Sequence, residues 1–150
     1  MIVEWQRLSE LAGQVTMVGG GFDPLHGGHV DYVAAAAGLG IPVLCNVEPD
    51  RYVEEKHPVL LPQAERGRIL DAFRDVSYVH LSDTRTDAVL EQLRPRYFVK
   101  GSDWRGRLPA VEQDVCSNRE IEVVFVDTVS NSSTTLVRDL IERSSAGGRP

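Results

Sequence analysis

The sequence predicts an α/β fold, a doubly wound parallel sheet of about five strands with helices on both faces. Short apolar runs alternate with helix-forming segments, and a glycine-rich stretch, residues 19–32, follows the first of those runs. Strands that alternate with helices favour right-handed crossovers and a sheet covered on both faces. Because ligands bind beyond the carboxyl ends of the strands in such sheets, the glycine-rich stretch marks a candidate site.

The first part of the chain predicts two strands around one helix. Residues 15–19, VTMVG, form a short apolar run that ends at glycine, which suits a buried parallel strand. Residues 29–40 are rich in alanine and end at glycines, which predicts a helix. Residues 41–47 form a second apolar run, whereas residues 48–62 are polar and broken by prolines, which predicts a loop.

The second part of the chain begins with a predicted helix over residues 63–76. Its spacing places Ile69, Leu70 and Phe73 on one face. The remaining segments continue the alternation, with strands at 77–81, 96–101 and 121–127 and helices at 86–93, 108–118 and 133–144. The chain is therefore predicted to be a single domain over residues 1–150, with an N-terminal extension at 1–13 and a flexible tail at 144–150.

Composition excludes several classes of protein. Sixteen Lys and Arg stand against 22 Asp and Glu, a net charge of −6, which is too acidic for binding nucleic acid through a general electrostatic footprint. Cys45 and Cys116 have no CxxC or His/Cys cluster around them, so they predict buried reduced thiols of a cytosolic protein. No apolar run reaches the ~20 residues of a membrane span. We therefore expect a soluble, cytoplasmic protein that binds neither nucleic acid nor membrane.

The junction between the first strand and the first helix carries the strongest chemical signal. Gly19, Gly20 and Gly21 can adopt positive φ and allow a ligand close to the main chain. His26 and His29 fall at the start of the helix, where free N–H groups and the helix dipole favour an anion. The pattern matches neither GxxxxGK[ST] nor GxGxxG. It predicts a phosphate pocket, with a metal site or a purely structural helix start as the alternatives.

Four segments, in order, resemble motifs of the nucleotidyltransferase superfamily. GGFDPLHGGH at 20–29 resembles the GxFDxxHxGH (HxGH) signature, and STTLVR at 133–138 resembles the [ST][ST]TxxR signature. AERGRIL at 64–70 resembles the helix whose arginine lies near the nucleotide. FVKGSDWRG at 98–106 resembles a segment of the cytidylyltransferase-like branch. The resemblance covers about residues 14–141 and lies near glycerol-phosphate cytidylyltransferases and heptose-phosphate adenylyltransferases.

The resemblance implies a Rossmann-like fold and a specific reaction. Such enzymes transfer a nucleotidyl group from a nucleoside triphosphate to an oxyanion by direct in-line displacement, with release of pyrophosphate and with Mg²⁺ as cofactor. By analogy, His29 contacts the α-phosphate and His26 the β or γ oxygens, each as a neutral donor or after gaining a proton. Catalysis then depends on alignment and on stabilisation of developing charge.

The resemblance also implies the site residues. The expected catalytic residues are His26, His29, Lys56 and Arg138. Those expected to bind the nucleotide lie on the motifs and are Gly20, Gly21, Phe22, Asp23, His26, His29, Arg66, Lys100, Gly101, Asp103, Ser133, Thr134, Thr135 and Arg138. Lys56 and Trp104 are expected to contact the acceptor, and Mg²⁺ is expected to be held mainly by phosphates and water.

Several of these residues admit a second interpretation. Asp23 either assists Mg²⁺ indirectly or shapes the turn before Pro24. Lys56 either contacts the acceptor or the triphosphate, or is a solvated loop lysine. Arg66 either lies near the nucleotide or belongs to a charged outer helix face. Trp104 is either a core anchor or a stacking platform.

Departures from the motifs bear on the substrates. TVSN at 128–131 replaces the RTEG segment whose arginine binds glycerol phosphate, and Lys100 before Gly101 follows the heptose-phosphate pattern. Gln14 stands where many branches have a basic residue. We expect transfer of CMP or AMP from CTP or ATP to a sugar, polyol or phosphonate type of acceptor, by a homodimer. The alternatives are a nicotinate-mononucleotide or pantetheine-phosphate type adenylyltransferase, or a non-catalytic nucleotide-binding module.

Overall fold

A computed structural model describes residues 1–127 and 133–147. Its centre is a parallel sheet in the order β3-β2-β1-β4-β5. The strands are β1 (Thr16–Gly20), β2 (Val43–Val47), β3 (Tyr78–Leu81), β4 (Tyr97–Gly101) and β5 (Glu122–Val126). The sheet confirms the predicted α/β, Rossmann-like architecture.

Helices follow the strands along the chain. They are α1 (Gly27–Ala37), α2 (Asp50–Val53), α3 (Gln63–Asp71), α4 (Thr86–Leu93), α5 (Ala110–Asn118) and α6 (Ser133–Gly147), with 3-10 helices at Trp5–Leu11 and Ser102–Trp104. Helix α2 lies inside the segment predicted to be a loop, so that prediction was wrong over those four residues. Its Val53 is buried, which explains why this short turn is ordered despite the prolines around it.

Two hydrophobic clusters cover the two faces of the sheet. Met17 and Phe98 belong to the cluster that includes α4 and α5, and Val18 and Val99 belong to the cluster that includes α1 and α3. Successive residues of a strand point to opposite faces, which explains this alternation. From β1 the chain continues to β2 and β3 on one side of the sheet, and β4 and β5 lie on the other side of β1. The strand order therefore reverses between β1 and β4, and a crevice forms there.

The N-terminal segment is part of the core rather than an extension. Leu8, in the first 3-10 helix, is fully buried in the cluster with α4 and α5, and Val3 is buried beside it. Val3 and Val79 are joined by a backbone hydrogen bond of 2.8 Å. Residues 1–13, predicted to be an N-terminal extension of the single domain, therefore pack into its core.

The other end of the chain and helix α3 also differ from the predictions. Helix α6 extends to Gly147, so residues 144–147 of the predicted flexible tail are helical, while residues 148–150 lie outside the described part. In α3, Leu70 is buried and Phe73 packs against the core, but Ile69 is exposed. The inner face of α3 instead uses Gly67, where an added Cβ would meet Leu81.

Cys45 and Cys116 are both buried and unpaired, as predicted. Burial raises the pKa of Cys45 to about 12 and, together with the Glu112 carboxylate, that of Cys116 to about 11. Such thiols stay protonated and inert near neutral pH. Among the described residues, no helix has the length and apolar character needed to cross a bilayer.

Candidate active site

A cavity of about 860 Å³ opens at the carboxyl ends of β1 and β4. It collects most of the site residues predicted from the sequence. Those that line it are Gly20, Gly21, Phe22, Asp23, His26, His29, Lys56, Lys100, Gly101, Asp103, Trp104, Ser133, Thr134 and Thr135. The cavity therefore lies where the strand order predicts a ligand site.

The glycines at the end of β1 leave space for the cavity, but they do not adopt the positive φ that the sequence allows. None of Gly19, Gly20 and Gly21 has a positive φ, and the left-handed residue of this turn is Phe22, with φ 54°. A Cβ on Gly21 would lie 3.1 Å from Cγ2 of Val53. Absence of side chains, rather than left-handed geometry, is what the site requires of these glycines.

His26 and His29 hold each other in place at the start of α1. The Gly28 N–H donates to Nδ1 of His26 at 3.0 Å, and the His26 N–H donates to Nδ1 of His29 at 3.2 Å. This reciprocal pair is a capping box built from two histidines. Since each Nδ1 accepts a hydrogen bond, each neutral ring carries its proton on Nε2, and the backbone thereby selects the tautomer.

Burial keeps these rings neutral. It lowers the pKa of His29 to about 4, with a smaller contribution from the neighbouring His26, and it also lowers the pKa of His26. The ring centroids lie 4.0 Å apart, and Phe22 packs edge-on against His29 at 5.2 Å. Nε2 of His26 is buried without a hydrogen-bond partner in the described part of the chain. The geometry thus favours the neutral-donor alternative for both histidines.

The start of α6 lies beside the histidine turn. The Ser133 hydroxyl donates to the Pro24 carbonyl at 2.9 Å, which ties the first residue of α6 to the turn after β1. Thr134 and Thr135 also line the cavity. The starts of two helices, α1 and α6, therefore meet in one cavity, and the positive ends of both helix dipoles suit a polyphosphate.

Asp23 has a structural role in the turn. One carboxylate oxygen accepts the Leu60 N–H at 2.7 Å, and the other accepts the Leu61 N–H at 2.8 Å. The side chain is buried, and these bonds join the turn after β1 to the loop before α3. The geometry favours the turn-shaping alternative over a role in holding Mg²⁺.

Arg66 does not lie in the cavity lining, so the geometry does not support its predicted role as a nucleotide-binding residue. Its fully buried guanidinium donates to the backbone carbonyls of Gly21, Glu48 and Leu61, at 2.5, 2.8 and 2.8 Å, and pairs with Asp50. Four of its N–H contacts therefore go to protein groups rather than to a ligand. Neither alternative in the sequence analysis anticipated a buried arginine.

The two other predicted cations differ in position. Arg138 is exposed on α6 and is not among the residues that line the cavity. Its predicted contact with the triphosphate stays a prediction. Lys56 does line the cavity and lies 3.7 Å from a carboxylate oxygen of Glu48, although its side chain is 53% exposed. Its predicted role in ligand contact remains a prediction.

Trp104 and Lys100 form a pair at the end of β4. The Lys100 ammonium lies 4.2 Å from the centroid of the Trp104 ring, a cation–π contact. The Trp104 side chain is 38% exposed and lines the cavity, so it is not a core anchor. Burial lowers the pKa of Lys100, and the Glu112 carboxylate is the largest influence in the opposite direction.

The sequence analysis did not predict several residues of the cavity, and three polar ones lie at strand or helix ends. Glu48 follows β2, Thr86 is the first residue of α4, and Glu112 lies in the first turn of α5. Each comes just after a strand or at the start of a helix that follows one. The rule that ligands bind beyond the carboxyl ends of strands could have identified them as candidates.

The metal alternative for the histidine pair has no third ligand in the described residues. Within residues 1–127 and 133–147, no group of three or more His, Cys, Asp and Glu side chains has the placement of a metal site. Both Nδ1 atoms also accept backbone hydrogen bonds. The TVSN segment at 128–131, which distinguishes this chain from the glycerol-phosphate motif, lies outside the described residues.

Fold and site together define a domain of the nucleotidyltransferase class. Residues 17–140 match the family model described as Cytidylyltransferase-like, and the chain belongs to that family. This match confirms the family resemblance stated in the sequence analysis.

Curated relatives agree with the family. The chain is 34% identical over 136 residues to the bifunctional protein HldE of Geobacter metallireducens, covering 87% of this chain and 27% of that protein. It is 35% identical over 145 residues to the bifunctional protein HldE of Gluconobacter oxydans, covering 93% of this chain and 29% of that protein. The chain thus spans less than a third of the length of these relatives.

Solved structures with low sequence identity share the fold. A lipopolysaccharide core biosynthesis protein from Thermoplasma volcanium superposes with a TM-score of 0.64 at 17% identity, over 77% of this chain and 98% of that protein. A pantoate-beta-alanine ligase from Francisella tularensis superposes with a TM-score of 0.59 at 12% identity, over 89% of this chain and 71% of that protein.

Proposed function

We propose that this protein transfers AMP or CMP from ATP or CTP to a small phosphorylated acceptor of the sugar type, with release of pyrophosphate. The observation that carries the proposal is the pair of Nε2–H donors at the start of α1, next to the start of α6 and the glycine-cleared end of β1. The matches to HldE proteins and the Lys100-Gly101 pattern support a sugar phosphate as acceptor.

The transfer needs alignment and charge stabilisation rather than a general base. An acceptor phosphate oxygen attacks the α-phosphorus, and the bond from that phosphorus to the oxygen of the β-phosphate breaks, so pyrophosphate leaves with the electron pair. In the proposal, His29 donates its Nε2–H to the α-phosphate and His26 donates to the β or γ oxygens. Neutral donors suit this role because they stabilise developing negative charge without being titrated near neutral pH.

Mg²⁺ is proposed to enter with the triphosphate. Both oxygens of Asp23 already accept backbone N–H groups, so phosphate oxygens and water would hold most of the ion's coordination shell. The ion would offset negative charge on the reacting phosphates. Cytoplasmic location and a homodimer stay predictions.

The test measures pyrophosphate release with ATP, CTP, GTP and UTP against sugar 1-phosphates, heptose phosphate, glycerol phosphate, phosphonates, nicotinate mononucleotide and phosphopantetheine. One active combination would identify both substrates. His29→Ala should lower the turnover of that combination by a factor on the order of 10² to 10³, because a transition-state donor is lost, while nucleotide affinity persists.

Asp31→Ala is the matched control, since Asp31 is exposed on the same helix. Unchanged turnover in His29→Ala would overturn the catalytic assignment. Tight nucleotide binding with no pyrophosphate release from any combination would favour the non-catalytic nucleotide-binding module.

A further inference from the structure

The cavity has two chemically different halves, one over each face of the sheet. The histidine pair and the start of α6 lie on the α1 side, where they account for a triphosphate. Lys100 follows Phe98 by two residues in β4, so it points to the face that α4 and α5 cover. Thr86 and Glu112, from the starts of α4 and α5, line the cavity on that same side. This second half is available for the other substrate.

The cation in this half of the cavity is the Lys100 ammonium, which lies against aromatic rings. The Lys100 ammonium lies 4.2 Å from the Trp104 ring centroid and 5.8 Å from that of Phe98. Aromatic rings stabilise the positive charge without accepting a conventional hydrogen bond from every N–H. Lysine offers three donors and no acceptor, so its ligand must present acceptors such as phosphate oxygens.

A carboxylate in the cavity requires a ligand that donates hydrogen bonds, whereas Lys100 requires one that accepts them. Glu112 lines the cavity and is half-buried, and Lys100 is the group that most opposes the rise of its pKa by burial. Glu48 also lines the cavity, and its Oε2 lies 3.7 Å from the Lys56 ammonium. An ionised carboxylate only accepts hydrogen bonds, so its ligand must present O–H or N–H groups. A phosphate dianion offers none.

We infer that this half of the cavity is the acceptor site for a phosphorylated sugar or polyol, and that Glu112 is its specificity determinant. In this inference Lys100 binds the acceptor's phosphate rather than the nucleotide that the resemblance implied, and Glu112 accepts hydrogen bonds from the acceptor's hydroxyl groups. The inference rests on the proposed function, because that function requires an acceptor beside the triphosphate. A phosphate ester without hydroxyl groups would leave the Glu112 carboxylate desolvated and unpaired, which disfavours its binding.

The experiment compares pairs of phosphates that differ in their hydroxyl groups. Glycerol 3-phosphate is paired with propyl phosphate, and hexose and heptose 1-phosphates are paired with cyclohexyl phosphate. Affinities are measured by ligand-detected NMR on the full chain saturated with an α,β-methylene analogue of the triphosphate it binds. We expect at least one hydroxylated phosphate to bind about tenfold more tightly than its partner in the unmodified protein.

Glu112→Gln should reduce that preference to about twofold and leave nucleotide affinity unchanged, because it removes the acceptor-only carboxylate while keeping the side-chain shape. Asp114→Asn is the matched control. It removes the same charge from an exposed position of α5 that does not line the cavity, so it should keep the full preference. Retained nucleotide affinity in both variants shows that the fold is intact.

Three results would overturn the inference: equal affinity within every pair, no binding of any sugar or polyol phosphate, or a loss of nucleotide affinity in Glu112→Gln. Pyrophosphate release is measured separately. Release that does not depend on Glu112 would leave the proposed function standing and remove the inference. A hydroxyl preference that depends on Glu112, without release from any acceptor, would support the site and contradict the transfer reaction.

Discussion

Each of the two histidines combines a structural and a chemical role in one ring. Nδ1 of His26 and Nδ1 of His29 accept backbone hydrogen bonds that begin α1, and this leaves the Nε2 atoms as donors. Protonation at Nδ1 would break the hydrogen bond that this atom accepts. The helix start and the neutral tautomer therefore support each other, and the depressed pKa values have a geometric as well as a burial component.

We expect the His29 ring to titrate well below the ordinary pKa of histidine in the folded protein. Its folded-state pKa of about 4 lies below the usual value of 6.5, so the unfolded chain binds the proton more strongly. The stability that neutral His29 contributes is present above pH 6.5 and is lost as the pH falls from there towards 4. An NMR titration of the ring Cε1–H should give a midpoint near 4 in the folded protein and near 6.5 in urea. A folded-state midpoint at or above 6.5 would contradict the tautomer assignment.

At the scale of elements, Arg66 joins three segments that meet below the cavity. Its guanidinium donates to carbonyls after β1, after β2 and in the loop before α3, and Asp50 of α2 completes the set. Asp23 adds a second connection between the turn after β1 and the same loop. Two buried charged side chains, Arg66 and Asp23, thus connect the segments around the site through hydrogen bonds to backbone groups.

Arg66→Ala should therefore lower the free energy of unfolding by about 3 kcal/mol, since it leaves buried carbonyls unsatisfied. Arg68→Ala is the control on the same helix. Its side chain is 82% exposed and lies 4.0 Å from Glu65, so its loss should cost less than about 0.5 kcal/mol. Urea denaturation of both variants measures the difference. Equal stabilities would show that Arg66 is not buried as described, and its role near the nucleotide would have to be considered again.

At the scale of the whole molecule, the two faces of the sheet pack against different elements. The face covered by α1 and α3 carries the histidine turn, and the face covered by α4 and α5 also packs the N-terminal segment. Leu8 and Val3 belong to the hydrophobic cluster that contains residues of α4 and α5. The segment before β1 therefore supports the half of the cavity that we assign to the acceptor.

Leu8→Ala should destabilise the protein by about 3 kcal/mol, because it removes a fully buried side chain and leaves a cavity in the core. Gln6→Ala, an exposed position in the same 3-10 helix, should have an effect below about 0.5 kcal/mol. Thermal or urea unfolding of the two variants provides the comparison. A loss for Leu8→Ala no greater than that for Gln6→Ala would mean that the segment is not part of the core.

The sequence by itself determined the order and type of the strands, most of the helices and many of the residues that line the cavity. These depend on local patterns: apolar runs, helical spacing, glycines at strand ends and motifs of a known family. Helix α4 was predicted with its observed bounds, because 86–93 contains a complete amphipathic pattern between turn residues.

Only the tertiary structure decided which way several side chains point and what they contact. Arg66 occurs in a charged helical segment, yet it is buried because its guanidinium binds carbonyls after β1, after β2 and in the loop before its own helix. The presence of Lys100 and Glu112 in one cavity likewise depends on packing between β4 and α5. Local pattern specifies the element, whereas side-chain direction and charge state follow from packing between elements.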